Sequence, residues 1–381
     1  ERLYDKISIN RSEEVTLQYR TIVDCHVHCD TPTLIEDAVP AIFRSGIDRI
    51  AMMSYGHMEE ATCLNSRANS NPAVLAAKSL YPDRVFAFGG INHIPALSLS
   101  EEAFAEKLVE QVKGMVETGY DGVKLIETKP AFYVTYPFRL HEQVFDPFFG
   151  ALEDARLPVL WHVGDPATFW DTDRVPVWAR ERGWYYAEGD FPSLESLYLQ
   201  SQDVLKRHPK LEVIFAHFYF LSDDLGRLGK LFDTFPRVRV DLTPGTEMYT
   251  SFSRDSQRAR DFFIEHEDRI LFGTDTMIRG TFFEMKAVEE KVRWMRRFLE
   301  TSESFEVKDK DLSINGLALP ESTLRKIYSE NFRSTVGESP RELNREKARQ
   351  ECDRISALFQ GDVKEDAVTD VAQEAKNLIA G

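Results

Sequence analysis

Eight short, β-rich apolar runs, separated by longer stretches with helical spacing, set the strongest limit on how this chain can fold. They are "TIVDCHVH" (21–28), "IDRIAMM" (47–53), "RVFAFGGI" (84–91), "DGVKLI" (121–126), "PVLWHV" (158–163), "EVIFAHF" (212–218), "RVRVDL" (237–242) and "RILFGTD" (269–275). Between them lie segments such as "EEAFAEKLVEQVKGMVETG", in which Phe104, Leu108, Val112 and Met115 recur at helical intervals. Strand–helix alternation calls for parallel strands with crossover helices, because a tight hairpin cannot join parallel neighbours. Eight such units close most simply into a (β/α)8 TIM barrel. An open doubly wound sheet is the alternative, but no Gly-x-Gly-x-x-Gly fingerprint follows the first run.

Two segments break the alternation. After the fifth run comes a long excursion, 164–193, before the next helix begins near Ser193. A loop of that length in a compact domain usually carries function, and in a barrel it sits on the catalytic rim. Residues 338–381 are charged and helix-forming, with no strand pattern. The expected organisation is therefore an N-terminal segment (1–18), a barrel (19–337) and a C-terminal helical extension (338–381) that packs on the barrel or on a second subunit.

Composition narrows the function classes. With 43% hydrophobic residues among 381, a sizeable core can be buried. The net charge of −16 argues against nucleic acid, whose phosphates need clustered Lys and Arg. No apolar run approaches the roughly 20 residues of a membrane span. Four cysteines (25, 29, 63 and 352) do not make a disulfide framework. The chain opens with Glu1, which leaves a removed leader open, and the cytoplasm is the expected compartment.

The polar residues within the apolar runs are the informative ones. In "TIVDCHVHCD", strict alternation puts Asp24, His26, His28 and Asp30 on one face and Cys25, Val27 and Cys29 on the other. Cysteine is often buried as a small apolar group, so the cysteines are expected to face the helices and the histidines the barrel interior. Two histidines about 6.6 Å apart along a strand can converge on one ion. His162, His217 and Asp275 stand at the C-terminal tips of the fifth, sixth and eighth runs. Buried there without partners, such groups would each cost about 1–3 kcal/mol. Strand tips share one rim, so the five residues together point to a mononuclear metal site. By contrast, His208 and His266 fall near helix C-termini at the opposite end, where the helix dipole favours them. His141 and His57 read as surface residues, and His93, past the third run, is placed to touch substrate.

With those residues in place, the chain resembles the amidohydrolase superfamily, and within it the amidohydrolase-related branch that includes aminocarboxymuconate-semialdehyde and resorcylate decarboxylases. Supporting phrases are "GVKL", "LKRHPKLEVIFAHF", "VRVDLTPG" and "GLALPESTLRKIYSENF", and the likeness spans residues 19–337. The resemblance implies that His26, His28, His162 and Asp275 hold one divalent ion, with zinc expected and manganese or iron as alternatives. It implies that His217 acts as acid/base beside the metal, with Asp275 sharing proton transfer. In binuclear members a carboxylated lysine on strand four bridges two ions. Lys124 invites that comparison, but one metal with Lys124 meeting an anionic substrate is the expectation.

The implied activity is metal-dependent hydrolysis of a small, carboxylated or cyclic substrate through an activated water. Non-oxidative decarboxylation or hydration at the same site is the close alternative. A metal-retaining binding protein without turnover is the alternative of another class. Trp170, Arg174 and Tyr185 of the 164–193 excursion are further candidates for substrate contact, set against a role in a small core of the loop itself. Branch members often form dimers, so a homodimer is the expected assembly.

Overall fold

The computed structural model describes residues 20–56, 69–93, 99–136, 138–280, 283–358 and 365–380. The expected N-terminal segment (1–18) and His57 lie outside the described residues. Seven of the apolar runs each give one strand: β1 (Val23–Cys29), β2 (Arg49–Met53), β3 (Val85–Gly90), β4 (Gly122–Thr128), β5 (Val159–Val163), β6 (Val213–Phe215) and β7 (Val238–Asp241). The eighth run gives two pieces, β8 (Ile270–Leu271) and β9 (Thr276–Ile278). All are parallel, in the order β8-β7-β6-β5-β4-β3-β2-β1-β9.

The two ends of that sheet are halves of one interrupted strand, and this closes the ring. β8 pairs with β7 and β9 pairs with β1. Across the gap, the Cys25 amide donates to the Phe272 carbonyl and the Asp275 amide donates to the His26 carbonyl, both at 2.9 Å. Alternate residues of the strands fill the interior: Val23, Cys25, Ala51, Met53, Phe86, Phe88, Leu160, Ile214, Ala216 and Leu271, with Phe332 of the last barrel helix plugging one end. The other strand face packs against the helices in one continuous core. The helix over Glu101–Thr118 buries Phe104, Leu108, Val112 and Met115, as their spacing requires. Ser100 caps its first turn by accepting from the Ala103 amide, and Gly119, at φ 94°, ends it in the left-handed region.

Three features depart from the expected strand pattern. The sixth strand stops at Phe215, and the chain turns through residues 217–220 with left-handed backbone. The eighth is broken where Asp275 takes φ 51°. An antiparallel hairpin, β10 (Ser304–Val307) with β11 (Leu312–Asn315), lies outside the eight runs.

Beyond the barrel, helices Arg345–Leu358 and Glu365–Ala380 lie against the helix Asn71–Leu80. Ala348, Cys352, Ile355, Ala372, Ala375 and Ile379 are buried there. Arg345 binds the carbonyls of Ile379 and Ser79, and Asn71 donates to Glu351. No helix among the described residues is long and apolar enough to cross a membrane.

Candidate metal centre

β1 carries the histidine pair, and its geometry is not a simple alternation. Pairing with β2 shifts between Asp24 and Val27, which is a β-bulge. The bulge lets two successive residues face inward, so Cys25 joins the interior cluster while His26 also points into the barrel. This corrects the expectation that Cys25 faces the helices; Cys29, beyond the bulge, does so. Asp24 is displaced from the histidine face. It accepts from the Thr274 hydroxyl at 2.6 Å and amide at 3.0 Å, within reach of the charge of Lys291 on the helix Met285–Glu300. Gly273 is needed opposite: a Cβ there would lie 2.9 Å from Thr243 Cγ2, 3.1 Å from Cys25 Sγ and 3.2 Å from His26 Cβ.

Among the described residues, His26, His28 and Asp275 offer ligand atoms that lie within 4.8 Å of one another. The two Nε2 atoms are 3.0 Å apart, and Asp275 Oδ1 is 3.4 Å from His28 Nε2 and 3.7 Å from His26 Nε2. Ligand atoms held at about 2.0–2.1 Å in a tetrahedral site lie about 3.3 Å from one another. The donor set therefore fits a single divalent cation in spacing and in type. Lys124 Nζ, 2% exposed as a residue, stands 3.1 Å from His26 Nε2 at the same point.

Electrostatics hold these groups in ligand form. Burial, then the Lys124 charge, lowers the His26 pKa, and burial followed by His26 lowers that of His28 well below the usual range. Both shifts favour the neutral ring, the form that can ligate an ion. Burial would raise the Asp275 carboxyl, but His26, His28, His217 and Lys291 outweigh it and keep it ionised. Burial also pushes the Lys124 ammonium down to about 8.

Asp241, at the tip of β7, orients the first histidine. Its Oδ2 is 2.8 Å from His26 Nδ1, and its Oδ1 accepts from the amides of His217 and Thr243 and from the Thr243 hydroxyl. A carboxylate behind Nδ1 fixes the proton there and leaves the Nε2 lone pair for an ion. Asp241 is not among the residues expected from the sequence, although it stands at the tip of an apolar strand like Asp275.

His217 and His162 face one another across the β5–β6 side, with ring centroids 4.9 Å apart. His217 is 5.7 Å from the His26 ring, and its Nδ1 lies 3.0 Å from the Thr243 hydroxyl and 3.3 Å from the Thr243 carbonyl. His162 is not in the three-residue group. Its Nε2 sits 3.0 Å from the Gly164 carbonyl and 3.4 Å from Asp165 Oδ1. Burial is the main reason its pKa falls to about 3. Glu247, another acid not expected from the sequence, folds back over Gly245, where a Cβ would come within 2.1 Å of its Oε1. Burial raises its carboxyl, with its own amide and then His217 opposing.

The remaining candidates divide between wall and loop. His93 is buried, 2.9 Å from Glu127 Oε1, with its ring 4.3 Å from Tyr136. Tyr136 clusters with Tyr55, Ile126 and Phe132, and Tyr55 stacks on His28 at 4.5 Å. Trp170 and Tyr185 instead pack against a small core that Phe169, Val175, Ala179 and Tyr186 of the loop form with Ala131. The Trp170 indole donates to the Pro192 carbonyl, and the Tyr185 hydroxyl meets Thr172. Arg174 is exposed. His208 and His266 each cap a helix C-terminus.

A closed parallel barrel with its polar cluster at the C-terminal ends of the strands belongs to the TIM-barrel class, whose enzymes carry their sites on that rim. A family profile described as amidohydrolase matches residues 23–333, and the chain belongs to that family, whose superfamily consists of metal-dependent enzymes. No curated protein matches it. Similar solved structures include an uncharacterized TIM-barrel protein from Bordetella bronchiseptica (15% identity, TM-score 0.51, covering 83% of this chain and 98% of that one). Another is a 2,6-dihydroxybenzoate decarboxylase from Rhizobium (13%, 0.51, 83% and 98%). A third is a 4-oxalomesaconate hydratase from Rhodopseudomonas palustris (13%, 0.50, 83% and 95%). At these identities the likeness establishes the fold.

Proposed function

We propose that this chain is a metal-dependent hydrolase of a small carboxylated or cyclic substrate. His26, His28, His162 and Asp275 would hold one divalent ion, zinc first by donor type. The carrying observation is the convergence of two imidazole nitrogens 3.0 Å apart with a carboxylate oxygen 3.4 Å from one of them. When bound, the ion supplies Lewis acidity and makes water nucleophilic near neutral pH.

The chain's own residues supply the rest. The Thr243 carbonyl favours the proton of His217 on Nδ1, which leaves Nε2 to take a proton from water and return it to the leaving group. Lys124, buried beside His26, pairs with a negative group of the substrate. Tyr55, Ile126, Phe132 and Tyr136 form an apolar wall next to His28 that suits a flat ring and keeps water out.

That wall and the buried Lys124 also favour a second reading, a non-oxidative carboxy-lyase or a hydratase. In the carboxy-lyase, His217 protonates a ring carbon as carbon dioxide leaves. A decarboxylase and a hydratase share the fold, which is compatible with this reading.

The test is metal-loaded protein against a panel of lactones, esters and aromatic carboxylates, following acid release and carbon dioxide separately. Acid release lost in His26→Ala supports hydrolysis. Carbon dioxide release shifts the assignment to the carboxy-lyase. Stoichiometric metal with neither product supports a binding protein.

A further inference from the structure

Asp165, just past β5, is 3% exposed and is met from three sides. Lys129 Nζ, from the end of β4, donates to Oδ1, and the Tyr186 hydroxyl donates to Oδ2 at 2.7 Å. His162 Nε2 is the third neighbour, at 3.4 Å. Lys129 also stands 4.1 Å over the Trp184 ring. Tyr186 is buried in the small core of the 164–193 segment, and its amide donates to the Phe169 carbonyl. One carboxylate thus joins two strand tips to the core of the long loop.

The chemistry of the His162 contacts fixes its tautomer. A carbonyl oxygen only accepts, so the 3.0 Å contact between Nε2 and Gly164 O places the proton of the neutral ring on Nε2. Asp165 stands beside that N–H and reinforces it. Nδ1 then keeps the lone pair. The arrangement mirrors His26, where Asp241 backs Nδ1 and Nε2 is left for the ion.

We infer that Asp165 is the positioning residue of His162 and that, through Lys129 and Tyr186, it couples docking of the 164–193 segment to metal affinity. This rests on the reading of His162 as a metal ligand. A conformational coupling of this kind is reciprocal: metal tightens the loop as much as the docked loop tightens metal.

The test measures Zn2+ affinity by competition with a chromophoric chelator, together with the visible spectrum of the Co2+-substituted protein. Asp165→Ala is expected to weaken Zn2+ binding by about 10–100-fold and to shift the Co2+ bands. Asp165→Asn, whose side-chain carbonyl still accepts, is expected to recover part of that loss. Tyr186→Phe is expected to weaken Zn2+ binding by about threefold or more. It should also abolish the protection from proteolysis that Zn2+ gives to residues 167–187. Tyr185→Phe, in the same loop but outside the clasp, should leave affinity and spectrum unchanged. Should Asp165→Ala not fold, Tyr186→Phe alone decides. Zn2+ affinity within twofold of wild type and an unshifted Co2+ spectrum in the folded variants would overturn the coupling. Wild type that binds no divalent ion would overturn the metal reading itself, so the two failures are distinguishable.

Discussion

On the β1, β7 and β8 side of the site the candidate ligands are held by strand β1 and by the backbone bonds that close the ring, with Asp275 alone left-handed at φ 51° in the break between β8 and β9, whereas on the β5 and β6 side the histidines are held by a loop and a turn of four left-handed residues. His26, His28 and Asp275 lie where the barrel closes, with Asp275 bonded through its amide to the His26 carbonyl and Asp241 behind His26. His162 depends on Asp165 and so on the 164–193 segment. His217 begins four residues with φ of 52–56°, in the left-handed region that bulky side chains avoid. Such backbone costs on the order of 1–3 kcal/mol per residue and persists only where packing over-determines it. Here Tyr219 is buried, stacked 4.1 Å from Phe215, with its hydroxyl 2.6 Å from Ser201. The first half is therefore preorganised by the fold, and the second is where docking and strain set the geometry.

Substitutions on the first side should have the largest effects. Asp275→Asn or His28→Ala is expected to abolish stoichiometric metal and reduce turnover by about a thousandfold, as loss of several kcal/mol of Lewis-acid stabilisation implies. Metal analysis and turnover on the same preparations check this. Asp241→Ala should weaken metal about 10–100-fold. It should also destabilise the fold by about 1–3 kcal/mol, because the His217 and Thr243 amides lose their acceptor. Chelator competition and denaturant melts measure the two effects.

Acid should expose both halves. Burial raises the Asp241 carboxyl, but His26, His217 and Thr243 outweigh it and hold it at about 2; for Asp165, Lys129 and His162 do the same, also at about 2. A depressed carboxylate contributes stability above its unfolded pKa of about 3.9 and loses it as pH falls toward 2. Each group then accounts for about 2 kcal/mol. Melts of Asp241→Asn and Asp165→Asn between pH 5 and pH 2 should each show a shallower acid limb than wild type; parallel curves would contradict the assignment.

Smaller effects sharpen the comparison. Gly273→Ala, with its Cβ against Thr243, Cys25 and His26, should cost about 1–3 kcal/mol by overpacking and move His26. Its melting curve and its metal affinity should change together. Tyr185→Phe, at the partly exposed edge of the loop, should stay within about 0.5 kcal/mol of wild type.

The barrel was legible because alternation of apolar runs and helical periods is a property of the chain itself. The strand-tip rule singles out His26, His28 and Asp275 for the same reason, and the fold brings the three together. It should have found Asp241, which ends "RVRVD" in the way that Asp275 ends "RILFGTD". What escaped depends on backbone detail. The bulge that turns Cys25 inward follows from pairing of β1 with its neighbours, and period-two reasoning has no term for it. The broken eighth strand arises at Gly273–Asp275, where close approach of β1 and a left-handed residue override a run that reads as continuous. Contacts such as Lys129–Asp165–Tyr186 join residues from separate elements, and composition of the loop suggested aromatics without saying which would face the site.

Anomalous diffraction at the zinc edge from zinc-loaded crystals tests the central claim most directly. A single strong peak about 2.0–2.2 Å from His26 Nε2, His28 Nε2 and an Asp275 oxygen is the predicted result. The absence of a peak there, with zinc found only on surface carboxylates, would contradict it.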